Sequence, residues 1–285
     1  MSENSADIEV QRTDGSLIAP DGLRLFHQAW KIDSPRALMV IHHGYGEHSS
    51  RYEGLARLLN QNGYSVFAQD ARGHGQSGGR RAHVDRFSHY ISDLQMAIEH
   101  ARDEIVTEKV FLIGHSLGGL ISAKFAIEKG DLIDGLVLSS PLLGLALKVP
   151  ALKEIAGRMV SRIWPTLTMS NEINSSHLTH DSKCVEDYDN DPLVNKVTTA
   201  RWFTETMAAV DEAFETARFL SVPVLFTIAG GDKIVSADAG KKFYERCGSL
   251  DKTLQEWPGM YHEVFHELDN EEVLEKLLAW LGERI

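Results

Sequence analysis

A serine is a weak nucleophile until its backbone and its neighbours make it a strong one. Ser116 lies in Gly114-His115-Ser116-Leu117-Gly118, with a glycine two residues to either side. The apolar run Val110-Phe111-Leu112-Ile113 before it reads as a strand. Gly119, Leu120, Ile121, Ala123 and Phe125 after it read as a helix. A serine set between strand and helix in this way is a nucleophile elbow. The turn is too tight for side chains at the flanking positions, so glycine fills them. It projects the hydroxyl above the sheet, and the helix N-terminus beneath offers N–H groups to a developing oxyanion.

Such a serine needs a base within hydrogen-bond reach, and the base needs an orienting carboxylate. The elbow implies the chain order Ser, acid, His, each on a loop after a strand. Of the thirteen histidines, His262 and His266 are those after position 200. His262 follows the expected strand 253–257 directly, where the base belongs. His266 is expected about one turn into a helical stretch, packing or capping. Asp232 ends the strand 222–229, in Gly230-Gly231-Asp232-Lys233, and is the expected acid. Asp238 is the runner-up, inside the next helix, and Asp70 precedes the serine. Two backbone N–H groups must hold the oxyanion. Leu117 follows the nucleophile, and Tyr45 lies in His43-Gly44-Tyr45-Gly46 after the strand 38–41. His42 and His43 are read as packing under the site.

The elements around these residues alternate strand and helix, and the strands are short continuous apolar runs. That pattern marks a parallel sheet covered on both faces, an α/β fold. A hairpin of residues 8–12 and 23–30 leads in, turning at Ala19-Pro20-Asp21-Gly22. The rhythm breaks at 142–199. Residues 1–141 and 200–285 are read as the core, and 142–199 as a cap insertion. That insertion opens on the apolar leader 142–147. A helix follows, with Leu152, Ile155 and Met159 on its apolar face, and then a polar, irregular stretch at 175–195.

The chain has 285 residues and a formal net charge of −12, which argues against nucleic acid and anionic membranes as partners. The acidic start, Met1-Ser2-Glu3-Asn4, carries no signal-peptide pattern, so a cytoplasmic protein is expected. No apolar run is long enough to span a bilayer. Cys184 and Cys247 are the only cysteines and are expected to be free thiols. No zinc motif is present. No metal or organic cofactor is expected, and no protein partner.

Several of these segments resemble those of monoacylglycerol lipases and the lysophospholipase-like enzymes related to them. They are His43-Gly44-Tyr45-Gly46-Glu47-His48-Ser49 with Arg51-Tyr52, Asp70-Ala71-Arg72-Gly73-His74-Gly75-Gln76-Ser77, the elbow itself, Asn190-Asp191-Pro192-Leu193, Gly230-Gly231-Asp232, and Tyr261-His262 with Glu267-Leu268. The resemblance runs from about Leu23 to the C-terminus. It implies an α/β-hydrolase fold with a helical cap, and cleavage of monoacylglycerols or other single-chain lipid esters such as lysophospholipids. It maps catalysis onto Ser116, Asp232 and His262, and a polar pocket for the glycerol end onto Glu47 and Arg51. Phe265 departs from the pattern, since animal monoglyceride lipases carry a histidine there. The cap face of Leu152, Ile155 and Met159 would wall an acyl tunnel and open toward a micelle or bilayer. Rival readings are a lysophospholipase, a short-chain carboxylesterase, a thioesterase or a peptide hydrolase on the same fold, and, in another class, a non-catalytic binding protein.

Overall fold

The computed structural model describes residues 9–146, 151–171 and 173–285, and for 151–156 the backbone course alone. In chain order, β1 (Gln11–Ile18), β2 (Arg24–Lys31) and β3 (Ala37–His42) lead to α1 (Glu53–Gln61) and β4 (Tyr64–Gln69). Then come α2 (Ser88–Glu104), β5 (Val110–His115), α3 (Leu117–Lys129) and β6 (Gly135–Ser139). Between β6 and the next core helix lie α4 (Ala151–Ile163), β7 (Thr168–Ser170), α5 (Ser182–Asn190) and β8 (Val197–Thr199). The chain closes with α6 (Ala200–Thr216), β9 (Val224–Ala229), α7 (Ala237–Arg246), β10 (Lys252–Trp257) and α8 (Glu271–Gly282).

Eight strands form one sheet in the order β1-β2-β4-β3-β5-β6-β9-β10. The six from β4 to β10 run parallel, and the β1–β2 hairpin adds antiparallel at the β4 edge. Every residue of β3, β4, β5, β6 and β9 is buried. Strand alternation divides them between two cores. Leu38, Val40, Leu112 and Phe226 pack with residues of α2, α3, α6 and α7. Met39, Ile41, Phe111 and Leu225 pack with residues of α1 and α8. Helices therefore cover both faces, as the apolar strands require.

Successive strands leave β3 in opposite directions, with β4 on one side and β5 on the other. This is a topological switch point, and the crevice beyond the strand ends there is where open α/β sheets bind ligands. The loop after β3 and the turn after β5 meet at it. Among the described residues, no helix is long and apolar enough to cross a membrane.

Three local readings change. The first strand occupies Gln11–Ile18 rather than 8–12, and Ile8 lies outside the described residues. Asp14, Gly15 and Ser16 are poor strand formers, but they hold an edge position paired to β2 residue by residue. The stretch 175–195, expected to be irregular, contains α5. Asp181 caps it, accepting the N–H groups of Lys183 and Cys184, and Tyr188 is its buried residue. His266 lies in a short 3-10 turn, Val264–His266, instead of a helix.

Candidate active site

Ser116 stands between β5 and α3 with φ 52° and ψ −117°, a conformation that L-residues rarely adopt. The surroundings hold it there. Its N–H donates to the Ser139 carbonyl at 2.9 Å, and its own carbonyl accepts from Leu120 at 3.1 Å and Leu142 at 2.9 Å. Any Cβ at position 118 would strike the His42 and His43 carbonyls, so α3 approaches the β3 loop only because that residue is glycine. Leu117 is the first residue of α3, and the first N–H groups of a helix have no intrahelical acceptor.

Asp232 follows β9. Its Oδ1 accepts the N–H groups of Ile234 at 2.8 Å and Val235 at 2.9 Å, which fixes the carboxylate's direction. Its Oδ2 lies 2.7 Å from Nδ1 of His262, and both side chains are buried. With a carboxylate as its partner, Nδ1 carries the proton, and Nε2 is left as the basic nitrogen. Burial opposes charge on both groups, but their mutual attraction outweighs it. The Asp232 carboxyl is held below its ordinary range and the His262 imidazole above. Ser116 and His262 line the same cavity, of about 780 Å³. Asp238 is turned to solvent and pairs with Lys241 at 3.3 Å, away from His262.

The β3 loop is tied down by buried histidines. His43 Nε2 accepts the Ala71 N–H at 2.9 Å, so Nδ1 is the nitrogen that donates to the Gly44 carbonyl, at 2.7 Å. Burial drives His43 down to about 4 and His42 to about 3, keeping both uncharged at neutral pH. Tyr45 lines the cavity. Its hydroxyl donates to the Val197 carbonyl in β8, and its ring lies 4.3 Å from that of Trp202. Sequence reasoning assigned Tyr45 only a backbone role and missed this bridge to β8.

A buried charged cluster sits beside the site. Glu47 Oε1 accepts the Gly44 N–H at 2.6 Å and the Tyr52 hydroxyl at 2.8 Å. Its Oε2 pairs with Arg51 Nη1 at 2.6 Å. The same guanidinium grips Glu263 through two bonds, of 2.7 and 2.8 Å. Burial pushes both carboxyls up, and Arg51 more than offsets it, so both stay ionised. His266 contacts Glu263 at 3.0 Å and the Arg51 carbonyl at 3.1 Å. Cys184, Glu263 and His266 place donor atoms within 4.8 Å of one another, a spacing that could hold a metal ion. Arg51 Nη2 lies 3.4 Å from the thiol and 2.8 Å from Glu263, so a side-chain cation already serves those donors. Both cysteines are free thiols, and burial raises the Cys184 thiol to about 11.

The cavity lining is mixed: Leu142, Leu145, Val235, Trp202 and Phe203 are apolar, and Glu47, Glu263, Tyr188 and Asn174 are polar, with Leu178 packed against Tyr188. Leu142, Leu145 and Ala146 belong to the leader marked in the sequence, whereas Leu147 lies outside the described residues. Trp202 and Phe203 went unmarked, although an aromatic pair at the start of α6 was a visible signal. Glu47 is on the wall, and Arg51 is behind it. Of the three α4 residues expected on an acyl wall, the side chains of Leu152 and Ile155 lie outside the described residues, and Met159 is 60% exposed.

Residues 33–269 match the model of the family Hydrolase_4, described as serine aminopeptidase, S33. The chain belongs to this family. It is 33% identical to phospholipase YtpA of Bacillus subtilis over 258 residues, 90% of this chain and 99% of that one. It is also 33% identical to the monoglyceride lipase of Homo sapiens, covering 94% of this chain and 90% of that one. Among solved structures, the monoacylglycerol lipase of Paleococcus ferrophilus superposes with a TM-score of 0.81 at 30% identity, covering 98% and 100% of the two chains. The fold is that of the α/β-hydrolases, and the chain is a serine ester hydrolase of this family.

Polar side chains tie the segment between β6 and α6 to the loops after β3 and β4. Asp191, in the Asn190-Asp191-Pro192-Leu193 segment, lies 2.8 Å from His48 Nε2. Asn195 donates its side-chain amide to the Gly73 carbonyl at 2.8 Å and its N–H to the Gly46 carbonyl at 2.7 Å.

Proposed function

We propose that this hydrolase cleaves monoacylglycerol to fatty acid and glycerol through an acyl-enzyme on Ser116. One observation carries the reading: the cavity at Ser116 and His262 is walled by apolar side chains that suit a chain and by polar ones that suit an alcohol. Names of relatives support it, since monoglyceride lipases recur among them. Residues 142–199 act as the cap that supplies Leu142, Leu145 and Tyr188 to those walls.

In the mechanism, His262 Nε2 takes the proton from Ser116 as Oγ attacks the ester carbonyl. The N–H groups of Tyr45 and Leu117 hold the tetrahedral oxyanion, and one such donor is worth about a hundredfold or more in rate. Asp232 holds the tautomer and stabilises the imidazolium. His262 then gives its proton to the departing alkoxide. Water, activated by the same nitrogen, releases the fatty acid. Access from a lipid surface is through the cap, where Met159, Ile163 and Trp164 are 60%, 82% and 60% exposed.

The test is fatty-acid release from monoacylglycerols of graded chain length, beside a short acetate ester, with Ser116→Ala as the blank. An optimum at medium to long chains is expected, with no turnover by the variant. Activity confined to the acetate ester would remove the lipase reading. Failure of a fluorophosphonate to label Ser116 would favour a binding protein instead.

A further inference from the structure

The backbone of Tyr45 supplies a proposed oxyanion donor, and its side chain reaches across to β8. Among the described residues the Tyr45 N–H meets no acceptor, while the peptide groups around it are tied down. The Gly44 N–H and carbonyl are held by Glu47 and His43, and the Gly46 carbonyl accepts the Asn195 N–H at 2.7 Å. The two backbones come very close there. Gly46 has φ 81°, and a Cβ on it would lie 3.0 Å from the Asn195 carbonyl oxygen. Two residues on, the Val197 carbonyl accepts the Tyr45 hydroxyl. Residues 195–197 therefore clamp the oxyanion turn twice, once by backbone and once through the tyrosine side chain.

The clamp is itself seated on the core. The Asn195 amide bonds the Gly73 carbonyl at 2.8 Å, and Thr199 reaches the Ala82 carbonyl with its N–H at 3.2 Å and its hydroxyl at 3.1 Å. Thr199 also caps α6, accepting the Trp202 N–H at 3.2 Å. On its other side β8 pairs with β7, where Ser170 faces Val197. The chain enters β7 from α4, the helix that carries the exposed Met159 and Ile163. The strand that holds the tyrosine hydroxyl is thus joined by one ladder to the surface assigned to lipid above. Burial raises the Tyr45 phenol to about 12, so it stays protonated and keeps donating.

We propose that the Tyr45 side chain is a positioning group: through its bond to Val197, the proposed cap sets where the Tyr45 N–H points and so how well the oxyanion is held. This rests on the reading of Tyr45 as an oxyanion donor for acyl transfer at Ser116. Such a donor helps most when it is fixed before charge develops, so that nothing has to reorganise during the reaction. The Tyr45 N–H must stay free for the oxyanion, so its own peptide cannot provide the fixing. The side chain provides it from the opposite wall. Position 45 could be marked in the sequence for its backbone, but the tie to Val197 spans 152 positions and left no local signal.

The experiment compares the full chain with Tyr45→Phe, which keeps the ring beside Trp202 and removes only the hydroxyl. The probes are 4-nitrophenyl butyrate as substrate and a propyl trifluoromethyl ketone as inhibitor. Ser116 Oγ adds to the ketone carbonyl, its proton passes to His262, and the ketone oxygen becomes the anion in the hole. The ketone therefore reads transition-state binding, which KM does not. For Tyr45→Phe, kcat and kcat/KM are expected to fall together about tenfold, and the ketone's Ki to rise about tenfold. Wild-type values, or a fall in kcat with an unchanged Ki, would overturn the inference. Asn195→Ala reaches the clamp from its other end, and Asn195 is not among the residues that line the cavity. It is expected to lose severalfold alone and to add little to Tyr45→Phe, because both act through one seat. Losses that multiply would also overturn the inference. Both probes work whether or not a monoacylglycerol is a substrate, so defeat of that reading and defeat of this one are separate results.

Discussion

The carboxylate of Glu47 accepts the backbone N–H of Gly44 at 2.6 Å, one residue before the proposed oxyanion donor Tyr45. Its other oxygen is held by Arg51, which also grips Glu263 beside His262. One buried cluster thus fixes the loop after β3 and the loop after β10 relative to each other. Glu47→Ala is expected to cost about 3–5 kcal/mol in urea unfolding, because it breaks a buried pair and strands the Tyr52 hydroxyl. Its kcat is expected to fall about tenfold or more as the Gly44–Tyr45 turn loosens. Glu47→Gln retains an acceptor for Gly44 and should keep more of kcat than the alanine variant. Wild-type kcat in Glu47→Ala would mean that the turn does not need this acceptor.

Ser116 occupies φ 52° and ψ −117°, and nothing but its surroundings keeps it there. Strain of this kind typically costs about 1–3 kcal/mol. Alanine at 116 suffers the same strain, whereas glycine does not. Ser116→Gly is therefore expected to be more stable than Ser116→Ala by about 1 kcal/mol, the gain being reduced by glycine's freer unfolded chain. Paired thermal melts of the two inactive variants read this difference. Equal melting temperatures would show that the elbow is not strained.

The elbow, the strand rhythm and the placing of Ser116, Asp232 and His262 after strand ends were legible because each depends on local pattern. Glycine spacing around Ser116 reports a tight turn, and apolar runs of strand length report a covered sheet. Asp232 and His262 could be singled out because strand ends are visible in the sequence; the fold sets them 2.7 Å apart. The charged cluster was legible only in part. Glu47 and Arg51 came from a resemblance, but the Arg51–Glu263 pair joins residues 212 positions apart, which no periodicity reveals. Met159 fails for a related reason. A helical stripe shows that α4 has an apolar side, and it says nothing of whether another element covers that side. Helix α5 escaped because its residues are polar, and a single capping aspartate was its main signal.

Acid sensitivity follows from the buried histidines. Burial, the largest cause in each case, holds His42 and His74 at about 3 and His43 and His115 at about 4, against 6.5 when free. As pH falls below 6.5 the unfolded chain takes up protons that the folded chain refuses, so stability drops. Each histidine contributes up to about 1.4 kcal/mol per pH unit down to its folded value. His262 has the opposite sign, since its raised value adds stability that is present in acid and lost as pH rises through it. Four outnumber one. Below about pH 4.5 the lowered carboxyls of Glu47, Glu263 and Asp232 add to the loss. The melting temperature is expected to fall steadily from pH 7 to pH 5. A flat profile over that interval would contradict the burial of these rings.

With His262 as the proposed base, the pH dependence of the reaction is expected to follow its pairing with Asp232. Burial alone would lower the imidazole's pKa, yet the carboxylate's charge and hydrogen bond lift it above 6.5. A base must be uncharged to accept the serine proton. Hydrolysis of 4-nitrophenyl butyrate should therefore rise with pH along a limb centred above 6.5 in kcat/KM, which reports the free enzyme. Asp232→Asn removes the charge and leaves the burial. The limb is expected to shift to lower pH, below 6.5, while kcat falls by about four orders of magnitude through loss of the correct tautomer and of imidazolium stabilisation. The two effects separate electrostatics from mere positioning. A variant that is slower but keeps the wild-type limb would show that Asp232 orients His262 without tuning it, and one with undiminished kcat would move the acid's role to another residue.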